Sequence, residues 1–109
     1  MKNDPSEQNL KAFRNMMELY EHQGGPGIEL TAIYTLAAIH PAIGARYFCV
    51  PCVSCNRPAP FIEDYVGGRS RKVFIGGGGG VRVRCAHCTN WTTGSVKDIT
   101  SEVWSLPTT

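Results

Sequence analysis

Leu10, Phe13, Met17 and Tyr20 recur at the three- and four-residue spacing that gathers side chains on one face of a helix. Asp4 is placed to cap that helix, Pro5 suits its first position, and Glu7 stands where a capping box wants it. Gly24, Gly25 and Pro26 end it. Lys11, Arg14, Asn15 and Glu18 form the opposite, solvated face, and Met16 and Met17 are expected to fill the core. A second helix is predicted from about Ile28 to His40, with Ile28, Ala32, Ile33, Leu36 and Ile39 as its apolar stripe and Pro41 as its stop. The β-branched content of this stretch also permits a strand. His40 is expected at the negative end of the helix dipole.

From Arg46 the pattern changes. Residues 46–93 carry short alternating runs rich in Val, Gly, Pro and aromatics, which predict strands and turns. From Ser95 the chain is expected to form either a short helix, with Val96, Ile99, Val103 and Leu106 on one side, or a final strand. The expected architecture is a single α+β domain over residues 1–109, with N-terminal helices packed on a small antiparallel β unit. Its parts are a helical region 1–45, a β region 46–93 and a C-terminal segment 94–109.

Composition narrows this picture only in places. At 42% hydrophobic and 18% charged, the chain is not disordered by composition. A net charge of +2 does not by itself imply a polyanionic partner, so a basic surface has to come from local clustering. The opening "MKNDPSEQNL" has no apolar core of the signal-peptide kind, so a reducing, cytoplasmic setting is expected. The run "IELTAIYTLAAIHPAIGARYF" has roughly the length of a membrane span, but Glu29, His40, Pro41 and Arg46 interrupt it. It is expected to be a buried helix and connector, with no role in a membrane.

Five cysteines change the picture more. In a reducing compartment, paired cysteines point to metal or redox chemistry rather than disulfides. Cys52 and Cys55 form one C-x-x-C, and Cys85 and Cys88 a second. Two residues between ligands let the chain curl round one ion, and two such curls complete a tetrahedron of thiolates. The backbone amides that follow donate to the sulfurs and spread their charge. Cys49 and Cys52 make a rival pair. A curl of this kind commonly needs a residue tolerant of positive φ after its second cysteine. Asn56 meets that need, whereas Val53 does not. Pro51 also removes an amide from the Cys49 loop. Cys52 with Cys55 is therefore favoured, with Cys49 a small buried hydrophobe. His87, inside the second curl, is expected to be exposed rather than a ligand.

The sequences "CVSCN" and "CAHCT" resemble the knuckles of zinc ribbons, small β domains built round one zinc, over about half the chain from Arg46 to about Trp91. The resemblance implies one structural Zn²⁺ on Cys52, Cys55, Cys85 and Cys88. The spacing between the pairs also resembles that of rubredoxins, which hold iron for electron transfer. Those are usually acidic, with glycine after each pair, where this chain has Asn56 and Thr89 and basic residues between the pairs. Zinc is the expected metal.

Between the pairs, "KVFI" and "VRVRC" are predicted to form a hairpin joined by the five glycines Gly76–Gly80, the run serving as a mobile tip. In that register Val73, Ile75, Val81, Val83 and Cys85 share one face. Lys72, Phe74, Arg82 and Arg84 share the other, extended by Arg69 and Arg71. Cations neutralise phosphates and an exposed ring stacks on bases, so this second face is the candidate nucleic-acid surface. A charged outer face that merely prevents edge pairing is the bland alternative. The glycine run is no phosphate loop, since no lysine and hydroxyl residue follow in register.

Glu63 and Asp64 are expected to point to opposite sides of a strand and to pair with arginines, which suits paired catalysis poorly. Four thiolates fill a zinc ion's coordination, so no enzymatic activity and no small-molecule substrate are expected. The expected function is a non-catalytic zinc module that docks on nucleic acid or on a nucleic-acid-processing protein. The alternative is a protein-binding adaptor or inhibitor, a regulator of the kind that serves as an accessory factor in bacteria or phages. A rubredoxin-like electron carrier comes third.

Overall fold

The computed structural model describes residues 5–23, 27–64, 73–76 and 78–105. Helix α1 spans Pro5–Gln23. Leu10, Phe13, Met17 and Tyr20 are all buried on its inner face, as their spacing predicts. Glu7 in its first turn and His22 in its last suit the helix dipole. Met16 is 39% exposed, so only Met17 of that pair fills the core. The expected cap at Asp4 and stop at Gly24–Pro26 lie outside the described residues.

The expected second helix is absent. Residues 28–40 are extended, with two short strands, β1 (Ile28–Glu29) and β2 (Ile33–Thr35). Ile28 and Leu30 are buried while Glu29 and Thr31 are exposed, an alternation of period two. Both periods fit the apolar positions of this stretch. The β-branched residues and a distant partner decide the outcome. That partner is β5 (Phe74–Ile75), parallel to β1, followed by β6 (Gly80–Arg84), parallel to β2. With no helix here, His40 has no helix terminus to sit on; it is simply exposed.

The same pairing removes the expected hairpin between "KVFI" and "VRVRC". β5 and β6 run onward in one direction, both alongside residues 28–35, and the glycines lie between them. From Glu29 to Ile33 is four steps, from Ile75 to Gly80 five. The glycine run thus absorbs one extra residue, as a bulge does. It is also a place of close backbone approach: a Cβ on Gly76 or Gly79 would collide with the Leu30 carbonyl, and one on Gly80 with the Gly94 carbonyl.

Two antiparallel hairpins complete the β region. The first joins β3 (Arg46–Pro51) to β4 (Pro58–Glu63), with a register shift between Phe48 and Cys49. The second joins β6 to β7 (Trp91–Ser95). After β7, Asp98 accepts hydrogen bonds from the Ser95 amide and hydroxyl at 3.0 and 2.9 Å, closing a 3-10 turn at Val96–Asp98. The chain then forms β8 (Thr100–Val103), the final strand, antiparallel to β3. The two larger sheets are therefore β4-β3-β8 and β2-β6-β7. Pro58 and Pro60 sit in β4, an edge strand, where a missing amide costs least.

These sheets enclose one core with α1. Phe48 and Val50 face Val81 and Val83 across it, with Phe13 and Met17 from the helix. Phe74 fills its centre, 4% exposed, with its ring centroid 5.1 Å from Phe48, 5.6 Å from Phe61 and 6.0 Å from Phe13. Gly94 is required where the sheets press closest, because a Cβ there would lie 2.6 Å from the Val50 side chain. The architecture is α+β, with one α-helix among the described residues, at the N-terminal end.

Candidate metal centre and the surfaces it supports

Each C-x-x-C is the tip of one hairpin. In the first, Pro51 pairs with Pro58 and residues 52–57 make the tip; in the second, Arg84 pairs with Trp91 and residues 85–90 do. The two tips share one hydrogen-bond pattern. Cys52 donates its amide to Arg57 O at 2.9 Å and accepts from the Asn56 amide at 2.9 Å. Cys85 donates to Asn90 O and accepts from Thr89, both at 2.8 Å. Closing this turn needs a positive φ after the second cysteine, and Asn56 has φ 61° and Thr89 φ 65°. Asn56 was the residue expected to allow it.

The tips meet so that the four Sγ atoms of Cys52, Cys55, Cys85 and Cys88 all lie within 4.8 Å of one another. Cys52 Sγ is 3.5 Å from Cys88 Sγ, and Cys55 Sγ is 3.7 Å from Cys85 Sγ. A tetrahedron with metal–sulfur bonds of about 2.3 Å has edges of about 3.8 Å, so the donor set fits a four-thiolate metal centre. Thr92 fastens one tip to the other hairpin: its hydroxyl accepts from the Val53 amide and donates to Pro51 O, both at 3.3 Å.

Backbone amides surround the sulfurs. Burial opposes ionisation of Cys52, but the amides of Cys55 and Ser54, together with the Cys88 and Cys55 side chains, outweigh it and hold its thiol down at about 7. Burial pushes Cys85 up to about 12 and raises Cys55, although the Cys88 and His87 amides serve Cys85 and the Arg57 amide serves Cys55. Asn90 adds a side-chain donor to Cys88 Sγ at 3.7 Å. A cation among four such sulfurs would favour their ionised forms together, because it attracts what burial repels.

Cys49 is separate from this cluster. It is buried in β3, 3% exposed, with its thiol directed to Tyr47 O at 3.6 Å. Burial, then the charge of Glu102, pushes its thiol up to about 12. It lies on the floor of a cleft of about 280 Å³ on the outer side of the β4-β3-β8 sheet. One wall is His87 stacked on Trp104, ring centroids 4.5 Å apart. His87 is thus half-buried rather than exposed, and burial, with Arg57 nearby, lowers its pKa.

The candidate nucleic-acid residues are distributed differently from expectation. Arg82 and Arg84 are exposed on the outer side of β6, while Val81, Val83 and Cys85 point inward. Phe74 is not with them: it is the core ring described above. The bulge changes which alternate residues face in, so Phe74 and Val81 point inward while Ile75 is 36% exposed. Arg69, Arg71 and Lys72 lie outside the described residues. The aromatic that does join the arginines is Trp91 of β7, 38% exposed, with Arg82 Cζ 4.4 Å and Arg84 Cζ 5.5 Å from its ring centroid. The signal for Trp91 was present in the sequence: taken as a hairpin tip, the second C-x-x-C sets Arg84 opposite Trp91.

Glu63 and Asp64 part company as expected, and Glu63 pairs with an arginine as expected. Glu63 takes a two-pronged ion pair from Arg14 of α1, at 3.0 and 2.8 Å. Arg14 is therefore not merely solvated. Asp64 is buried and accepts from the Ser101 hydroxyl, which Arg46 also reaches at 3.2 Å. Among the described residues, no helix is long and apolar enough to cross a membrane. Compared with protein-family models, with curated proteins and with solved structures, the chain matches none of them.

Proposed function

We propose that the chain is a non-catalytic module in which one structural zinc ties two hairpin tips together, and that its β2-β6-β7 face docks on nucleic acid. An all-thiolate, four-donor set suits zinc and leaves no open coordination position for catalysis. The observation that carries the docking reading is the outer face itself. Arg82 and Arg84 stand exposed beside Trp91, and none of the three strands contains an acidic residue. The metal is one residue from this face, since Cys85 follows Arg84 directly. Holding the tip closed holds the Arg84–Trp91 pair in register.

Retention of the zinc-loaded protein on immobilised nucleic acid, measured across a salt series, tests the reading. Affinity should fall steeply with salt, and Arg82→Ala with Arg84→Ala should flatten the log–log slope by about 0.7–0.9 per lost phosphate contact. Zinc content should not change in these variants. No retention at low salt would leave the face a solvated surface.

A second reading, a protein-binding adaptor, is favoured by the cleft beside Trp104, which has apolar walls of Pro58, Pro60 and Val103 and charges of both signs in Arg57 and Glu102. Iron in place of zinc would make the purified protein red and support the electron-carrier reading instead.

A further inference from the structure

We infer that the ligand of the β2-β6-β7 face is single-stranded rather than duplex nucleic acid, with Trp91 as its stacking platform. The inference rests on the nucleic-acid reading above and names the class of ligand that reading leaves open.

Spacing supports it. Arg82 and Arg84 are alternate residues of one strand, so their Cα atoms are separated by about 6.7 Å. That is comparable with the step between neighbouring phosphates of an extended single strand. Across the pair, Trp91 faces Arg84, and the guanidinium groups of both arginines lie over its ring. A guanidinium plane stacks on a base as an aromatic ring does, while its edge donates to phosphate oxygens. One surface thus offers a π-stack for a splayed base and cations for its two flanking phosphates. Thr35 and Thr93 lie in register on either side of Arg82 and add hydroxyls at the same level.

The width of the platform argues against a duplex. A two-stranded ribbon can enter a major groove about 12 Å wide. Here β2 lies beside β6, making the surface three strands wide, with Ile33 half-exposed at its margin. Such a sheet is broader than the ribbon that fits the groove, and a duplex keeps its bases stacked out of reach of Trp91. Duplex would meet only the arginines. The absence of acidic residues from all three strands removes the repulsion that would otherwise exclude a backbone lying along the sheet.

The test uses the full zinc-loaded chain and a fluorescein-labelled mixed-sequence 15-mer, single-stranded or annealed to its complement, at low salt. Anisotropy should show the single strand binding at least fivefold tighter than the duplex. In a Trp104→Phe background, where Trp91 alone emits, the single strand should quench emission and the duplex should not. Trp91→Ala should weaken single-strand binding about 5- to 150-fold and leave duplex binding unchanged. If zinc content shows that Trp91→Ala has not folded, Trp91→Phe takes its place. It should keep a smaller stacking surface and an intermediate affinity for single strands only. Equal or tighter duplex binding, or a Trp91 variant that weakens both equally, would overturn the inference while sparing the nucleic-acid reading. Binding of neither form would overturn both.

Discussion

The two hairpins have the same tip and opposite outsides. Residues 52–57 and 85–90 repeat one hydrogen-bond pattern with different residues, so the turn is specified by cysteine spacing and one positive φ rather than by composition. The outer side of β3, by contrast, is covered. Tyr47 and Cys49 are buried at the cleft that the Trp104–His87 stack walls on one side. The outer side of β6 is open and carries Arg82 and Arg84. One tip geometry therefore serves two purposes: it anchors a buried strand on one side of the molecule and presents a charged strand on the other.

The comparison is broken most completely at the metal. Cys52→Ser should abolish stoichiometric metal by elemental analysis and remove most of the roughly 10–16 kcal/mol that a structural zinc would contribute, seen as loss of β structure by circular dichroism. Cys49→Ser, three residues earlier in the same hairpin, should keep its metal and cost about 1–3 kcal/mol in denaturant unfolding, from a hydroxyl buried in place of a thiol. Equal metal loss in both would mean that the rival pair holds the ion.

The core shared by the hairpins comes next. Phe74→Ala should cost about 3–5 kcal/mol in the same unfolding assay, because a ring packed against Phe13, Phe48 and Phe61 leaves a cavity. A smaller contrast separates the two outsides. Trp104→Ala should cost about 1–2 kcal/mol as the cover of β3 is lost, whereas Arg82→Ala should stay within about 0.5 kcal/mol. The smallest effect distinguishes the tips themselves. Thr89 is β-branched and held at φ 65°, so Thr89→Gly should raise the stability of the metal-loaded protein by up to about 1 kcal/mol. Asn56→Gly, where asparagine already tolerates the conformation, should change it less. Thermal unfolding of the two variants side by side measures the difference.

What could be read from the sequence was mostly local. The α1 face, the two C-x-x-C curls, the need for Asn56 after Cys55 and the in–out alternation of Val81, Arg82, Val83 and Arg84 all depend on neighbours a few residues away. The strands at 28–35 are not legible, because their partners lie 46 and 47 residues downstream, from Ile28 to Phe74 and from Ile33 to Gly80, and pair in parallel, which no short-range pattern announces. Phe74 lies on the side opposite to expectation for a related reason: the expected face belongs to a hairpin that does not form. Trp91 becomes legible only when the second C-x-x-C is read as a turn with a register as well as a ligand motif.

The glycine run acts as slack. Five steps on its strand lie against four on the neighbour, and the run takes up that surplus of one before β6 meets β2. Remove a single glycine and the spacings match: Phe74 and Val81 are then six steps apart, and plain alternation turns both inward and leaves Arg82 and Arg84 outside. Remove two and the strand is one step short, so that alternation turns Val81 and Val83 to solvent and Cys85 away from the other three sulfurs. A stretch without side chains, which looks like filler tolerant of any length, thus allows one loss but not two before the metal centre and the charged face come apart.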